Sequence, residues 1–259
     1  MVYNNKHKIV LQTIMHKGAL SENDEKELIM KLFDHSNITR IISEINAKLQ
    51  PLCMTIKCTN CEITGQLYWI FASIVQDKTA SFDSEFTQAE LALLRNVYSE
   101  IVTSDNNCVS STWCLNLCSS LNLKLSNANA EQFLHEMINR KWLFCKNGKY
   151  YVGVRSIAEL CQYFKNTYED SLWTCTLCKQ ILFYGEKCDK CDTTTHIYCL
   201  KDYTKTHSGL GCPNCHYSVS EPDNSNNTNN STMDLDTDIE MAEPAKSNQE
   251  RKLRRKCKD

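Results

Sequence analysis

Eight potential metal ligands, spaced in pairs, constrain this chain more than any other feature. They read Cys175-x2-Cys178, nine residues, Cys188-x2-Cys191, four residues, His196-x2-Cys199, twelve residues, Cys212-x2-Cys215. Two intervening residues let a tight turn aim both side chains of a pair at one ion, and four pairs make two tetrahedral sites. Sequential pairing would give two independent fingers. Interleaved pairing would put Cys175, Cys178, His196 and Cys199 on one ion and Cys188, Cys191, Cys212 and Cys215 on the other. A segment of about 45 residues cannot bury enough apolar surface to be stable unaided. Cross-bracing closes long loops with both metals, so the interleaved arrangement is expected. Structural zinc supplies on the order of 10–16 kcal/mol per site. All eight ligands are protein groups and no position is left for a substrate, so the two zinc ions are expected to be folding elements.

The remaining nine of the sixteen cysteines are spread thinly over the chain, which marks a domain boundary near Leu172. The N-terminus, "MVYNNKHKIVLQTIMHKG", has no continuous apolar region of signal-peptide type. No segment approaches the roughly 18 apolar residues of a membrane helix. A reducing compartment is therefore expected, where cysteines are thiols or metal ligands. The formal charge of −2 predicts no strong attraction of the whole chain to nucleic acid or anionic membrane. Seven thiolates against two dications add three further negative units, which strengthens that exclusion.

Residues 1 to about 170 read as two copies of one plan. In the first, "KIVLQTIMHKG" is a helix stopped by Gly18, and Ser21 with Asp24 caps a second. The third helix, "ITRIISEINAKLQ", lines one face with Ile38, Ile41, Ile42, Ile45 and Leu49 and ends at Pro51. "LCMTIKC" and "LYWIFAS" are strands around a turn with Gly65. In the second, Thr87 and Glu90 form a capping box with a staple from Phe86 to Leu91, opening "QAELALLRNVYSEIV". Helices around "STWCLNLCSSL" and "AEQFLHEMINRKW" follow. Asn147-Gly148 tips the hairpin "KWLFCKNGKYYVGV", and Ser156 with Glu159 caps a last helix, "IAELCQYFKNTY". Three helices followed by a two-stranded hairpin is the winged-helix plan. The expected fold is mainly α with small β hairpins: winged-helix domains at 1–82 and 83–170, a cross-braced two-zinc module at 171–219, and a disordered tail at 220–259.

Winged helices often read DNA with the third helix. Here that helix offers Arg40 and Lys48 in the first copy, and Arg140 and Lys141 in the second, with Lys146 and Lys149 on the wing. Glu131 and Glu136 make the second a poor reader, so protein binding is expected. Cys58-x2-Cys61 sits where a hairpin turn is expected but has no second pair, so an ordinary reduced hairpin is favoured over a third zinc. Cys114 and Cys118 lie i,i+4 on a helix as core residues. His7, His16, His35 and His135 read as surface or helix-end histidines. No Ser/His/Asp set, phosphate loop or paired-carboxylate motif points to a self-contained hydrolase or nucleotide enzyme. From Glu221 the chain turns to Asn, Ser, Thr and acids without aromatics, a disordered composition, and ends in the basic cluster "RKLRRKCK", read as a nuclear-import signal.

The order of four cysteines, one histidine and three cysteines resembles both RING-like ubiquitin-ligase domains and PHD histone readers. A PHD carries an aromatic residue two positions before the seventh ligand, where this chain has Leu210. The RING pattern has a proline after the seventh ligand, and Pro213 stands there in "CPNC". Leu177, just before the second ligand, matches the aliphatic position that RING domains offer to a ubiquitin-conjugating enzyme. Many active RINGs carry a basic linchpin after the eighth ligand; here it is His216. Both a ligase and a non-catalytic interaction scaffold remain open on these residues.

Together, "ASFDSEFTQAELALLR", "SSTWCLNL", "NRKWLFCKNGKYYVGVRSIAEL" and the spaced "CTLC…CDKC…HIYC…CPNC" resemble the first non-SMC element of the SMC five/six chromosome-maintenance complex over residues 1 to about 217. That family of non-structural maintenance of chromosomes element one homologs has tandem winged helices of the kleisin-interacting class. The resemblance implies pairing with a MAGE-type subunit, binding of the kleisin near the SMC heads, DNA contact through the complex, and a nuclear, chromatin-associated role in DNA repair and recombination. It also implies a RING-type ubiquitin ligase supported by the MAGE partner, with zinc on Cys175 through Cys215 and a conjugating enzyme at Leu177 and Pro213. No residue of the chain would then do bond chemistry, because such a ligase orients a thioester held on another protein. The alternative is a zinc-folded structural adaptor of the same complex.

Overall fold

The computed structural model describes residues 3–33, 37–74, 86–120, 125–206 and 211–217. The expectations for the tail, His35 and Leu210 lie outside the described residues. The first copy runs α1 (Asn5–Lys17), β1 (Ala19–Ser21), α2 (Glu22–Leu32), α3 (Ile38–Leu49), β2 (Met54–Asn60) and β3 (Leu67–Ser73). The second runs α4 (Gln88–Thr103), β4 (Val109–Ser110), α5 (Ser111–Ser120), α6 (Asn127–Asn139), β5 (Leu143–Lys146) and β6 (Lys149–Val152). Each builds a three-stranded antiparallel sheet, in the order β1-β3-β2 and again β4-β6-β5. The repeat is thus one of topology as well as of helix count. The short strands β1 and β4 were beyond pattern reading, since two or three residues show no period; they pair because β3 and β6 each have a free edge, Ala19 lying opposite Ile70 and Val109 opposite Tyr150.

Local chemistry explains most element ends. The Asn4 side chain accepts from the Lys6 N–H at the start of α1, and Gly18 closes the helix at φ 73°. Thr87 and Glu90 complete the capping box of α4, while Phe86, expected to staple to Leu91, sets its ring edge-on to Phe133 of α6 at 5.5 Å. Asn147 and Gly148 take φ values of 53° and 70°, the left-handed pair a two-residue hairpin turn requires. In α3, Ile41, Ile42, Ile45 and Leu49 are buried, and Asn46 locks the helix to β2: its amide donates to the Ile56 carbonyl (3.0 Å) and its oxygen accepts from the Ile56 N–H (2.7 Å).

Three expectations need correction. Ser156 and Glu159 do not cap a helix. The chain turns helical at α7 (Val154–Glu159), with Gly153 as its N-cap, breaks at Leu160, and resumes as α8 (Cys161–Tyr168). Ser156 is fully buried, its hydroxyl donating to the Trp142 carbonyl and meeting the Tyr98 hydroxyl at 2.7 Å, while Glu159 pairs with Arg155. His7 is a helix-end residue, in the first turn of α1, but it is fully buried and not at the surface, its Nδ1 accepting from the Asn4 N–H at 3.2 Å and its ring edge-on to Phe33. The turn between β2 and β3 also begins three residues later than the Cys58-x2-Cys61 spacing suggested. Cys58 stays in β2 opposite Trp69, and Cys61 is buried at the turn itself.

Each copy has its own core, Val10, Ile14, Ile29, Ile45 and Ile56 in the first, Leu93, Val97, Ile101, Leu134 and Met137 in the second. Cys114 and Cys118 lie in the second core. A small seam of Ala19, Ile70, Val154 and Ala158 joins the two copies, and the Lys57 ammonium donates across it to the Ala158 carbonyl at 3.1 Å. Arg155 lays its guanidinium over Trp142 at 4.2 Å and approaches Gly18 so closely that a Cβ there would stand 2.7 Å from it. No helix among the described residues is long and apolar enough to cross a membrane.

The remaining module consists of β7 (Trp173–Thr174), β8 (Ile181–Leu182), β9 (Glu186–Lys187), β10 (Thr194–Thr195) and α9 (Ile197–Thr206). Its strands form two separate two-stranded ribbons, β7 with β8 and β9 with β10.

Ser156→Ala is expected to destabilise the second copy by about 1–3 kcal/mol, because a buried carbonyl and a buried phenol each lose a partner. The check is the denaturant midpoint at unchanged slope.

Candidate metal centres

Three backbone turns build most of this module, and they are the same turn. In each, the N–H of a first cysteine reaches the carbonyl five residues on, while the N–H four residues on returns to that cysteine's carbonyl. The pairs are Cys175 with Gln180 and Lys179, Cys188 with Thr193 and Asp192, and Cys212 with Tyr217 and His216, all at 2.8–3.0 Å. Lys179, Asp192 and His216 each adopt a left-handed conformation with φ of 60°, 54° and 57°. Every one directly follows the second cysteine of its pair, which is how two residues of spacing bring two sulfurs to one point. The fourth pair, His196 and Cys199, uses the start of α9 instead, where the Leu200 N–H donates to the His196 carbonyl.

These turns converge in two groups, Cys175, Cys178, His196 and Cys199, and Cys188, Cys191, Cys212 and Cys215, with all ligand atoms of a group within 4.8 Å of one another. The pairs interleave: first with third, second with fourth. His196 turns Nδ1 toward the sulfurs, 3.3 Å from Cys178 Sγ and 3.7 Å from Cys199 Sγ. In the second group Cys188 and Cys215 are 3.6 Å apart, and Cys191 and Cys212 3.5 Å. A tetrahedral ion with metal–sulfur bonds of about 2.3 Å has sulfur–sulfur edges of about 3.8 Å. Both groups therefore have the size and the donors for such an ion.

The charge balance of the sulfurs also calls for a cation. Burial raises the Cys175 thiol, but the N–H groups of Cys178, His196 and Leu177 outweigh it and bring it down to about 7. Cys191 falls to about 6 through the hydroxyl and N–H of Thr193. Cys199, by contrast, is pushed well up by burial and by the negative charge of Cys175 and Cys178. Several sulfurs in one group cannot all ionise beside each other without positive charge among them.

Leu177 and Pro213, the expected contacts for a conjugating enzyme, are both half-buried, and His216, at the linchpin position, is exposed. Cys58 and Cys61 join no metal-ligand group among the described residues.

One residue that bears on the first group lies in another domain. Glu62, in the β2–β3 turn of the first winged helix, is 3% exposed. Its carboxylate accepts from the Tyr184 N–H at 2.7 Å and the Phe183 N–H at 3.1 Å, and one oxygen stands 3.1 Å from His196 Nε2. Burial raises the Glu62 carboxyl against these three donors; for His196 burial acts downward, and the Glu62 charge reverses it to a net rise. Nothing in the sequence marked Glu62, a lone acid in a turn, because its partners are 121 to 134 residues away. The turn itself repeats the metal-binding geometry: Cys61 N–H to the Gln66 carbonyl, Gly65 N–H to the Cys61 carbonyl, and Gly65 left-handed at φ 75°. Thr64 stands where the second cysteine of a pair would be.

Residues 7–160 match the family model described as the Nse1 non-SMC component of the SMC5-6 complex, and residues 175–215 match that of a RING-like domain. The chain is 30% identical over 223 residues to the Non-structural maintenance of chromosomes element 1 homolog of Xenopus laevis, covering 83% of each chain. The human homolog of that name is 30% identical over 217 residues, with 81% of this chain and 82% of the human one covered. The Schizosaccharomyces pombe element 1 is 26% identical over 215 residues, covering 82% and 90%. Among solved structures, a chain of an Nse1-Nse3-Nse4 complex superposes with a TM-score of 0.73 at 29% identity, covering 86% of this chain and 99% of that one. With the repeated winged-helix topology and the interleaved metal-ligand groups, these matches establish that the chain belongs to the Nse1 family, the non-SMC component of the SMC5-6 complex.

Proposed function

We propose that the chain is a zinc-folded, RING-type ubiquitin ligase subunit of the SMC5-6 complex, acting in DNA repair and recombination in the nucleus. The observation that carries this reading is the interleaving of the two ligand groups, the cross-brace of a RING-like domain, taken with Pro213 after the seventh ligand and Leu177 before the second. Cys175, Cys178, His196 and Cys199 would hold one zinc, and Cys188, Cys191, Cys212 and Cys215 the other. Zinc would supply structure alone, since each group already offers four protein ligands. Leu177 and Pro213 would meet the ubiquitin-conjugating enzyme, their partial exposure leaving apolar surface for it. Catalysis would then consist of holding the conjugating enzyme's thioester in a reactive orientation, a proximity effect that needs no acid, base or nucleophile of this chain.

The solved relative that superposes is part of an Nse1-Nse3-Nse4 complex. By that likeness the two winged helices bind a MAGE-type subunit and, with it, the kleisin. DNA would be reached through the complex; the wing of the second copy adds Lys146 and Lys149, both exposed.

A second reading is favoured by one residue. His216 occupies the place of the basic linchpin, and its backbone serves the left-handed turn position. A non-catalytic adaptor would keep both zincs and both winged-helix interfaces while lacking transfer. Leu177→Asp distinguishes the two. In the complex with the MAGE-type subunit and a panel of conjugating enzymes, the variant is expected to lower ubiquitin transfer to background while zinc content and partner binding stay unchanged. No transfer by the unmodified complex with any conjugating enzyme would establish the adaptor.

Metal removal gives a separate expectation. A strong chelator should unfold residues 175–215, given the roughly 10–16 kcal/mol that each structural zinc contributes. The helices of the two winged-helix copies, which have their own cores, should persist. Circular dichroism with limited proteolysis reads both.

A further inference from the structure

Glu62 occupies an unusual position for a residue of a winged-helix turn. Its carboxylate is shut away from water, and each oxygen is used from the neighbouring module. Oε1 faces His196 Nε2 at 3.1 Å and Oε2 accepts from the Tyr184 N–H at 2.7 Å, while the Phe183 N–H reaches both at 3.1–3.2 Å. His196 presents its other nitrogen to the sulfurs of the first group. A histidine that binds metal through one nitrogen carries its proton on the other, and the partner of that N–H fixes the ring's tautomer and angle. The Ile181 carbonyl, 3.2 Å from Nε2, shares this N–H. The turn is seated on the same ring from a second side. Gly65 lies under Tyr198, where a Cβ would be 3.4 Å from the tyrosine Cβ, and the Tyr198 ring stacks on His196 at 4.7 Å and 20°.

We propose that Glu62 is a positioning residue for the first metal ion: it orients His196 from the first winged helix, so that ion retention at this group and docking of the winged-helix turn on the RING-like module are one coupled equilibrium. The inference rests on the zinc reading above. It is specific to one of the two ions. Among the described residues, no hydrogen bond links a ligand side chain of the second group to either winged helix; its sulfurs meet each other, Thr193 and the Asn214 N–H. Coupling of this kind is reciprocal, so a loss of docking loosens the ion by the factor by which ion loss loosens docking.

Glu62→Gln is the informative variant because it keeps the shape. Both carboxylate oxygens face N–H donors, so a glutamine must point its own NH2 at one of them. Full-length chain loaded with zinc, and separately with cobalt(II), is challenged with a chelator; three sulfurs with one nitrogen and four sulfurs give cobalt(II) different visible bands, so each group is read by itself. Loss of an outer partner of a metal-bound histidine typically costs about 10–100-fold in metal affinity. The expected result is release about 10–100-fold faster from the first group, release from the second within about twofold of the unmodified chain, and faster amide exchange in residues 61–66. His196→Cys makes the first group all sulfur. In that background Glu62→Gln should no longer alter ion release. If Glu62→Gln does not fold, His196→Cys alone decides: two retained ions with faster exchange at 61–66 support the coupling, and unchanged exchange overturns it. Equal acceleration at both groups, or no acceleration at either, also overturns it with the zinc reading intact. Fewer than two ions per unmodified chain would overturn the zinc reading and the coupling together.

Discussion

Phe183 is 3% exposed, yet the core that covers it belongs to the second winged helix. Its ring meets Phe164 of α8 at 4.7 Å, and the next residue, Tyr184, sets its ring edge-on to Tyr151 of β6 at 5.2 Å. The backbone N–H groups of the same two residues are taken up by Glu62 of the first winged helix. Two adjacent residues thus anchor the metal module to both of its neighbours, one through side chains and one through main chain. The module is too small to bury a core of its own. Metal ions can hold its turns together, but they give it no fixed relation to the rest of the chain. That relation comes from a phenylalanine inserted in a foreign core, with Leu172 and Ile181 packed against the same core, and from one carboxylate held by two amide donors and the His196 ring. Burying a phenylalanine contributes about 1.5–3 kcal/mol, and a carboxylate satisfied by several N–H donors escapes most of the penalty of burial.

What could be read in advance, and what could not, follows from the range over which each signal acts. The ligand pairs were legible because a turn of six residues is a local object. The capping box at Thr87 and Glu90, the Asn147-Gly148 turn and the apolar face of α3 are local in the same way. Ser156 misled because a serine three residues before a glutamate caps only where the serine is the non-helical residue before the first turn; here the helix has already begun after Gly153, and a buried carbonyl and phenol take up the hydroxyl. His7 is a helix-end residue with its polar partner Asn4 close by, and its burial had no local sign, since it comes from the rings of Tyr3 and of Phe33 just past α2. Glu62 had no local signature at all. Its role exists only once three separate segments are folded against one another.

The duplicated topology bears on how the subunit can present surfaces. Two sheets of identical strand order place two wings, the β2–β3 turn and the β5–β6 turn, in equivalent positions of their own domains. They have diverged in use. The first wing packs on the metal module through Glu62 and Gly65; the second carries Lys146, Asn147, Gly148 and Lys149, all exposed. One copy's wing thus serves internal architecture while the other offers the same shape to the outside.

The turn at Cys61–Gln66 has the hydrogen bonds and the left-handed residue of the three cysteine turns, with threonine at the position of the second sulfur. The fold therefore contains the same six-residue form with and without a complete ligand pair. Its closure is a property of the peptide chain, set by two amide hydrogen bonds and one residue of positive φ. In the three cysteine turns that closure holds the two sulfurs of a pair within 4.8 Å of each other, so each pair acts as one chelating half. What an ion adds is the joining of halves distant in sequence, a loop closure whose cost grows only logarithmically with the length enclosed.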